Sequence, residues 1–447
     1  MADSLQVEIT NRQIWKIALP ISLALMVPQL NLIINNIFLG HHSEHSLAIA
    51  SITGVYYLVF AGIGYGLNNG LQTLISRRAG ENRPDEIGKF FSHGVFIGLM
   101  ISIVGIFLTF FVTPVFFRRF LTPEQAEPSI VFLQIRIWGL PFLYVYQLRN
   151  ALLVGINQSK YLVAGTLAET LANIFFDYTL IFGKLGMPAM GFNGAAVASI
   201  IAEFTGMFVI FLVLKQKGIT KRFSLFTSFN IKKEYLNSIA KMSGPLAFQH
   251  GSSVLAWFLF YMLVARNASQ TGLAISTTMR TVFGFFGTCF WALAATTNSM
   301  VSNVIGQGKK DLVLHLISKI TKLSITIAVF ICLLLNAFPD VYLALFRNDP
   351  EFISEGIPVL RAIAFALLLV SIATVWLNAV TGTGNSQVTF LIEIGALVFY
   401  CIYVFVVLEV RHMSILWGWM SEVLYWLVLF SFSYLYIKSG KWKSKVI

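Results

Sequence analysis

Apolar stretches near the length of a membrane span recur along the whole chain, separated by short polar breaks. Run length decides the secondary structure. A helix rises 1.5 Å per residue, so about 20 apolar residues cover about 30 Å of hydrocarbon. A lipid-facing β-strand would instead alternate over about ten residues. These runs are too long and too continuously apolar for strands. The pattern predicts twelve helical spans, at residues 14–40, 47–76, 90–116, 130–154, 161–182, 192–214, 241–264, 275–303, 316–338, 357–380, 388–408 and 415–437. Connections are short except for the polar stretch between spans six and seven. The expected organisation is a six-helix lobe over residues 1–214, a basic cytoplasmic linker over 215–240 and a second six-helix lobe over 241–447.

Composition agrees with a membrane protein. The 447 residues are 57% hydrophobic and only 12% charged, with mean hydropathy +0.75; a soluble domain carries about 25% charged residues. The net charge of +12 could suggest a nucleic-acid partner, but its distribution removes the need for one. With twelve spans both chain ends lie on one side, and most of the 32 Lys and Arg residues fall on that side. The positive-inside rule then places both termini in the cytoplasm of a multi-pass plasma (inner) membrane protein. Basic pairs such as Arg77-Arg78 and Lys309-Lys310 read as solvated or lipid-phosphate contacts. Cys289, Cys332 and Cys401 sit inside apolar runs, so no disulfide framework is expected. No cleavable signal peptide is expected either, because the first apolar run continues past Pro20 to Gly40.

Span five carries an unusual polar set. Glu169, Asn173 and Asp177 are spaced by four residues. On a helix they form a ladder about 12 Å long on one face. Acids inside a membrane span are costly, and their default reading is functional. A carboxylate in low dielectric is driven towards its protonated form, and it can also supply a hard anionic oxygen to a cation. Asn173 adds an amide oxygen one turn from Asp177.

The two halves repeat at an offset of 225–227 residues. Leu19-Pro20 matches Gly244-Pro245 in the first span of each half. Ser76, Gly80 and Asp85 match Ser302, Gly306 and Asp311, and Arg136 matches Arg361. Thr122-Pro123-Glu124 matches Asp349-Pro350-Glu351, and Gly155 and Ser159 match Gly382 and Ser386. Six spans per half makes the repeats parallel, related by an axis along the membrane normal. Transporters commonly place substrate and ion sites at such a repeat interface.

These marks resemble the multidrug and toxic compound extrusion (MATE) family of antiporters, in its NorM/DinF-like bacterial branch, over essentially the whole chain. Ala18-Leu19-Pro20 is similar to the family's opening helix, and residues 33–40 to its continuation. The turns 76–80 and 302–308 resemble the family's small-residue turns after the second helix of each half. The most specific mark is Asn173 to Asp177 followed by the Gly-rich stretch 186–196. The resemblance implies an all-α membrane fold, twelve helices in two six-helix lobes related by a pseudo-two-fold axis along the membrane normal (MATE/MOP-type). It implies alternating access, with inward H⁺ or Na⁺ flow driving small amphipathic compounds out of the cytoplasm. The family's cation site combines an acid on helix one with an Asn and an Asp on helix five. Asn173 and Asp177 match the latter, while the helix-one position is Asn35 here, beside Asn36. A neutral amide cannot take a proton, so coupling is expected to rest on Asp177, with Glu169 as a second station.

In the second lobe, Gln249, His250 and Asn378 are candidates for lining the substrate cavity, together with Asn36 of the first lobe. No carboxylate stands on span ten, so the second-lobe Na⁺ site of some relatives is not expected. Glu393 is expected to be hydrated near the cytoplasmic end, and Glu203 and Glu422 have no clear role. His41, His42, Glu44 and His45 follow span one and read as a hydrated loop rather than a metal site. No cofactor is expected, and the partners are substrate and membrane lipid around a monomer. A phosphate-cradling GxxxxGK[ST] sequence is absent, which leaves an ATP-driven pump without support. Two alternatives remain open. A lipid-linked oligosaccharide flippase of the same superfamily would line its cavity with cations, of which Arg136, Arg280 and Arg361 are the few candidates. A membrane-embedded enzyme would need a catalytic cluster, and only the acids of span five qualify.

Overall fold

Twelve long helices, and no strand among the described residues, make up the chain. They are α1 (Asn11–His42), α2 (Glu44–Gly80), α3 (Pro84–Phe120), α4 (Pro123–Gly155), α5 (Leu162–Phe182) and α6 (Phe192–Gln216), then α7 (Lys233–Asn267), α8 (Gln270–Gly306), α9 (Val313–Ala337), α10 (Pro350–Gly382), α11 (Ser386–Val410) and α12 (Ile415–Lys438). This is a computed structural model. It describes residues 4–42, 44–226 and 230–445, without the side chains of 30–37, 39–42, 44–48 and 51. Every span expected from the sequence coincides with one of these helices. Most of the helices run further than the spans, and a side chain caps the start of two of them. Ser269 Oγ accepts from Gly272 N–H at 3.0 Å at the start of α8, and Asp349 Oδ1 accepts from Glu351 N–H at 3.0 Å before α10.

Among the described residues, eight of the helices are long and apolar enough to cross a membrane. The helices α5 and α8 are more polar, α5 through its ladder and α8 through the run Thr296 to Asn303. Two threonines of that run satisfy themselves inside the helix: Thr296 Oγ1 donates to Ala292 O at 2.8 Å and Thr297 Oγ1 to Leu293 O at 2.7 Å. Proline interrupts the hydrogen-bond ladder inside α1 at Pro20 and Pro28, and inside α7 at Pro245. Pro20 and Pro245 are repeat counterparts. Cys289, Cys332 and Cys401 form no disulfide and are half-buried rather than fully buried.

The chain divides into two compact units. Leu19–Ala247 belongs to the first, and Gln6–Ala18 with Phe248–Ile447 makes the second. In the first unit α4 packs on α2 and α3, and α5 runs along α6. In the second, α8, α9 and α12 pack on α10, whose Val359, Leu360, Ile363, Leu367 and Val370 are fully buried. The leading segment of the chain is tied to the end of α8, the turn after it and α9. Val7 N–H donates to Asn303 Oδ1 at 3.1 Å, Gln307 Nε2 to Val7 O at 2.9 Å, and Lys319 Nζ to Ile9 O at 3.2 Å.

The hairpin of α5 and α6 positions the polar ladder, and glycines set its closeness. Gly183 ends α5 in the left-handed conformation, at φ 66°. A Cβ on Gly194, near the start of α6, would lie 2.7 Å from the Leu180 carbonyl. Backbone cannot retreat as a side-chain tip can. Gly194→Leu is therefore expected to lower stability by about 1–3 kcal/mol, read as a fall in Tm of the purified protein. An unchanged Tm would mean that the hairpin is not tightly packed there.

Candidate ion-coupling site

The helix α5 is two-faced. Leu167, Leu171, Phe175 and Tyr178 are exposed, while Thr166, Thr170, Asn173 and Asp177 are buried. Apolar residues at helical spacing on the outside suit lipid, and the polar ladder turns inward. Asp177 is 1% exposed, and neither carboxylate oxygen has a hydrogen-bond partner among the described residues. Such a group calls for a proton, a cation or water. Asn173, one turn below, is 4% exposed.

A second pair of charges lies in the same unit, and sequence reasoning did not join it. Arg136 on α4 makes a bidentate ion pair with Glu203 on α6, Nη1 to Oε2 at 2.9 Å and Nη2 to Oε1 at 2.5 Å. Tyr57 OH donates to Glu203 Oε1 at 3.3 Å, and the Arg136 guanidinium stacks over the Tyr57 ring at 3.8 Å. The pair needs a gap in the wall of α4. A Cβ on Gly139 would come within 2.2 Å of Glu203 Oε2 and 2.4 Å of Arg136 Nη1. Gly139 sits in a 3₁₀ turn, Ile137–Gly139, that interrupts α4. Among the described residues, Arg136 acts electrostatically on Asp177.

Glu169 is half-buried on the flank of α5. Gly206 of α6 lies against its Cβ, where any Cβ would approach to 3.0 Å. Glu203, Arg149 and Arg136 act on it electrostatically, and Tyr146 is its hydrogen-bonding neighbour. Arg149 stacks over Tyr146 at 3.7 Å and donates to Gly206 O at 3.3 Å, and the Tyr146 hydroxyl shares a 2.7 Å hydrogen bond with Thr166 Oγ1. The first unit thus gathers three acids and two arginines around α5.

The second-unit candidates have local partners. Gln249 Nε2 donates to Glu393 Oε2 at 3.3 Å, and Asn378 Nδ2 donates to the Thr374 carbonyl of its own helix at 3.0 Å. His250 is half-buried beside Gln249. Glu393 corrects the expectation of hydration: it is 3% exposed and held by three hydrogen bonds. Its depth follows from the helices that cross α11, which no local pattern reveals. The side chains of Asn35, Asn36, His41, His42, Glu44 and His45 lie outside the described residues. The short loop expected after span one is nearly absent, since α1 runs to His42 and α2 begins at Glu44.

Comparison with known proteins supplies the family. The MatE family model matches the chain twice, over residues 20–179 and 245–406. The second match begins 225 residues after the first, at the offset of the internal repeat. The chain is 23% identical to a Thermotoga maritima protein named "Probable multidrug resistance protein NorM", over 98% of this chain and 94% of that one. A protein of the same name from Synechocystis is 24% identical over 80% of this chain and 79% of its own length. Among solved structures, a MATE protein in complex with MaL6 superposes with a TM-score of 0.90 at 16% identity, covering 99% of this chain and all of that one. A multidrug resistance MATE family transporter of the MOP superfamily, solved in an outward-facing conformation, superposes at 0.87 and 16% identity over the full length of both chains. The chain belongs to the MatE family and is an integral membrane transporter of the multidrug and toxic compound extrusion type, not an enzyme.

Proposed function

We propose that this transporter is an antiporter that moves small amphipathic compounds out of the cytoplasm by alternating access of its two halves. Inward proton flow drives it, with Na⁺ as the second choice of ion. The observation that carries the reading is Asp177, a buried carboxylate with no hydrogen-bond partner among the described residues, on the inward face of α5. Asn173 and Glu169 complete the coupling ladder. Asn35, where the family resemblance leads one to expect an acid, cannot titrate, which concentrates the role on Asp177.

The relatives named as multidrug resistance proteins support a broad amphipathic substrate class. Forty Phe and twelve Met residues supply adaptable apolar surface for such compounds. Asn36, Gln249, His250 and Asn378 are the proposed polar contacts. A flippase reading is weakened because Arg136 is already neutralised by Glu203. The charge asymmetry supports an inner-membrane orientation with both termini and the linker 215–240 in the cytoplasm, and we read the protein as a monomer with residues 1–214 and 241–447 as its lobes. Counterflow of cationic dyes and neutral amphiphiles in proteoliposomes, under H⁺ and Na⁺ gradients imposed separately, tests the reading. Accumulation driven by the H⁺ gradient is expected. If no compound accumulates under either gradient, the reading fails.

A further inference from the structure

Arg136 and Arg361 occupy matching places in the two repeats, but their surroundings differ. Arg136 is half-buried against Glu203 at 2.5 Å, whereas Arg361 is exposed and forms no ion pair among the described residues. The second unit nevertheless buries two acids, Glu393 on α11 and Glu422 on α12, each 3% exposed. Glu393 Oε1 accepts from Tyr425 OH at 2.5 Å and from Ser253 Oγ at 2.7 Å, and its Oε2 accepts from Gln249 Nε2 at 3.3 Å. Glu422 Oε2 accepts from Trp426 Nε1 at 2.9 Å. All four donors are uncharged. No Lys, Arg or His forms an ion pair with either acid among the described residues.

The titratable groups around Glu393 are few. From α12 come Tyr425 and, behind it, Glu422; α11 itself adds Tyr400. From α7 come the neutral Gln249 and Ser253, with His250 the titratable group next along that helix. No buried residue of α10 is titratable. Two further hydroxyls, of Tyr400 and Ser421, are buried next to one another. Tyr400 acts electrostatically on both Glu422 and Tyr425, and its ring centroid is 5.9 Å from that of Tyr425.

Two opposing effects meet at Glu393. Burial without a countercharge disfavours the ionised carboxylate, while three hydrogen bonds to its oxygens favour it. All three neighbours of Glu393 donate hydrogen bonds to its oxygens, which suits a proton shared with the shell. We propose that Glu393 is an exchangeable-proton site of the second unit, shelled by Tyr425, Ser253 and Gln249 and connected through Tyr425 and Tyr400 to Glu422. On uptake the O–H bond forms at Oε2, the oxygen held only by the longer contact from Gln249, and hydronium is consumed. On release the proton returns to water. This deepens the reading of proton-driven export and rests on it for its consequence in transport.

Infrared difference spectra of the full-length protein in liposomes, between acid and alkaline buffer, test the site without any transport. The expected result is a protonated-carboxyl band component that is lost in Glu393→Gln, shifted in Tyr425→Phe and retained in Asp177→Asn. The Tyr425→Phe shift keeps the test decisive if Glu393→Gln does not fold. Spectra identical in wild type, Glu393→Gln and Tyr425→Phe would overturn the proposal. Such a failure would leave gradient-driven export intact, whereas a failure of the export reading would leave the band in place.

Discussion

Asp177→Asn is expected to reduce export driven by a proton gradient to the level of protein-free liposomes, with the protein still folded. The two side chains have nearly the same shape, so packing on the inward face of α5 is kept. The carboxylate oxygens have no hydrogen-bond partner among the described residues, so the substitution breaks none there. What it removes is the ability to take and release a proton. An unchanged Tm together with lost export would place the effect on coupling. Glu169→Gln is expected to have a smaller effect, since Glu169 is half-buried beside Tyr146 and Arg149. Export by Asp177→Asn at the wild-type rate would remove Asp177 from the mechanism.

The largest structural effect is expected at Arg136. Arg136→Met strands Glu203 in the interior of its unit with only the Tyr57 hydroxyl at 3.3 Å. Breaking a buried pair by removing one partner costs about 3–5 kcal/mol, whereas replacing both with apolar residues is often neutral. The single variant should therefore unfold well below the wild type, and Arg136→Met combined with Glu203→Leu should recover most of the loss. Thermal unfolding of the three proteins in one detergent measures this. A double variant no more stable than the single would show that the arginine acts through packing on Tyr57 rather than through charge.

The helices were legible because a span is a compositional signal spread over about 20 residues. The internal repeat was legible from Pro, Gly, Asp and Arg residues at matched positions, and the family match falls at the same offset. The ladder on α5 was legible because helical spacing alone puts Asn173 and Asp177 on one face. The pairs that span long sequence separations were not. Arg136 and Glu203 are 67 residues apart, and Ser253 and Glu393 are 140 apart. Nothing local to α11 marks Glu393 as buried. Its depth is set by α7 and α12, whose side chains close over it.

The central claim is that substrate export and proton entry are one process that runs through Asp177. Proteoliposomes loaded with an amphipathic substrate and a pH-sensitive dye measure it most directly. When substrate leaves down its own gradient, the lumen should acidify with the wild-type protein and should not with Asp177→Asn. Substrate efflux without acidification in the wild type, or equal acidification in Asp177→Asn, would contradict the account.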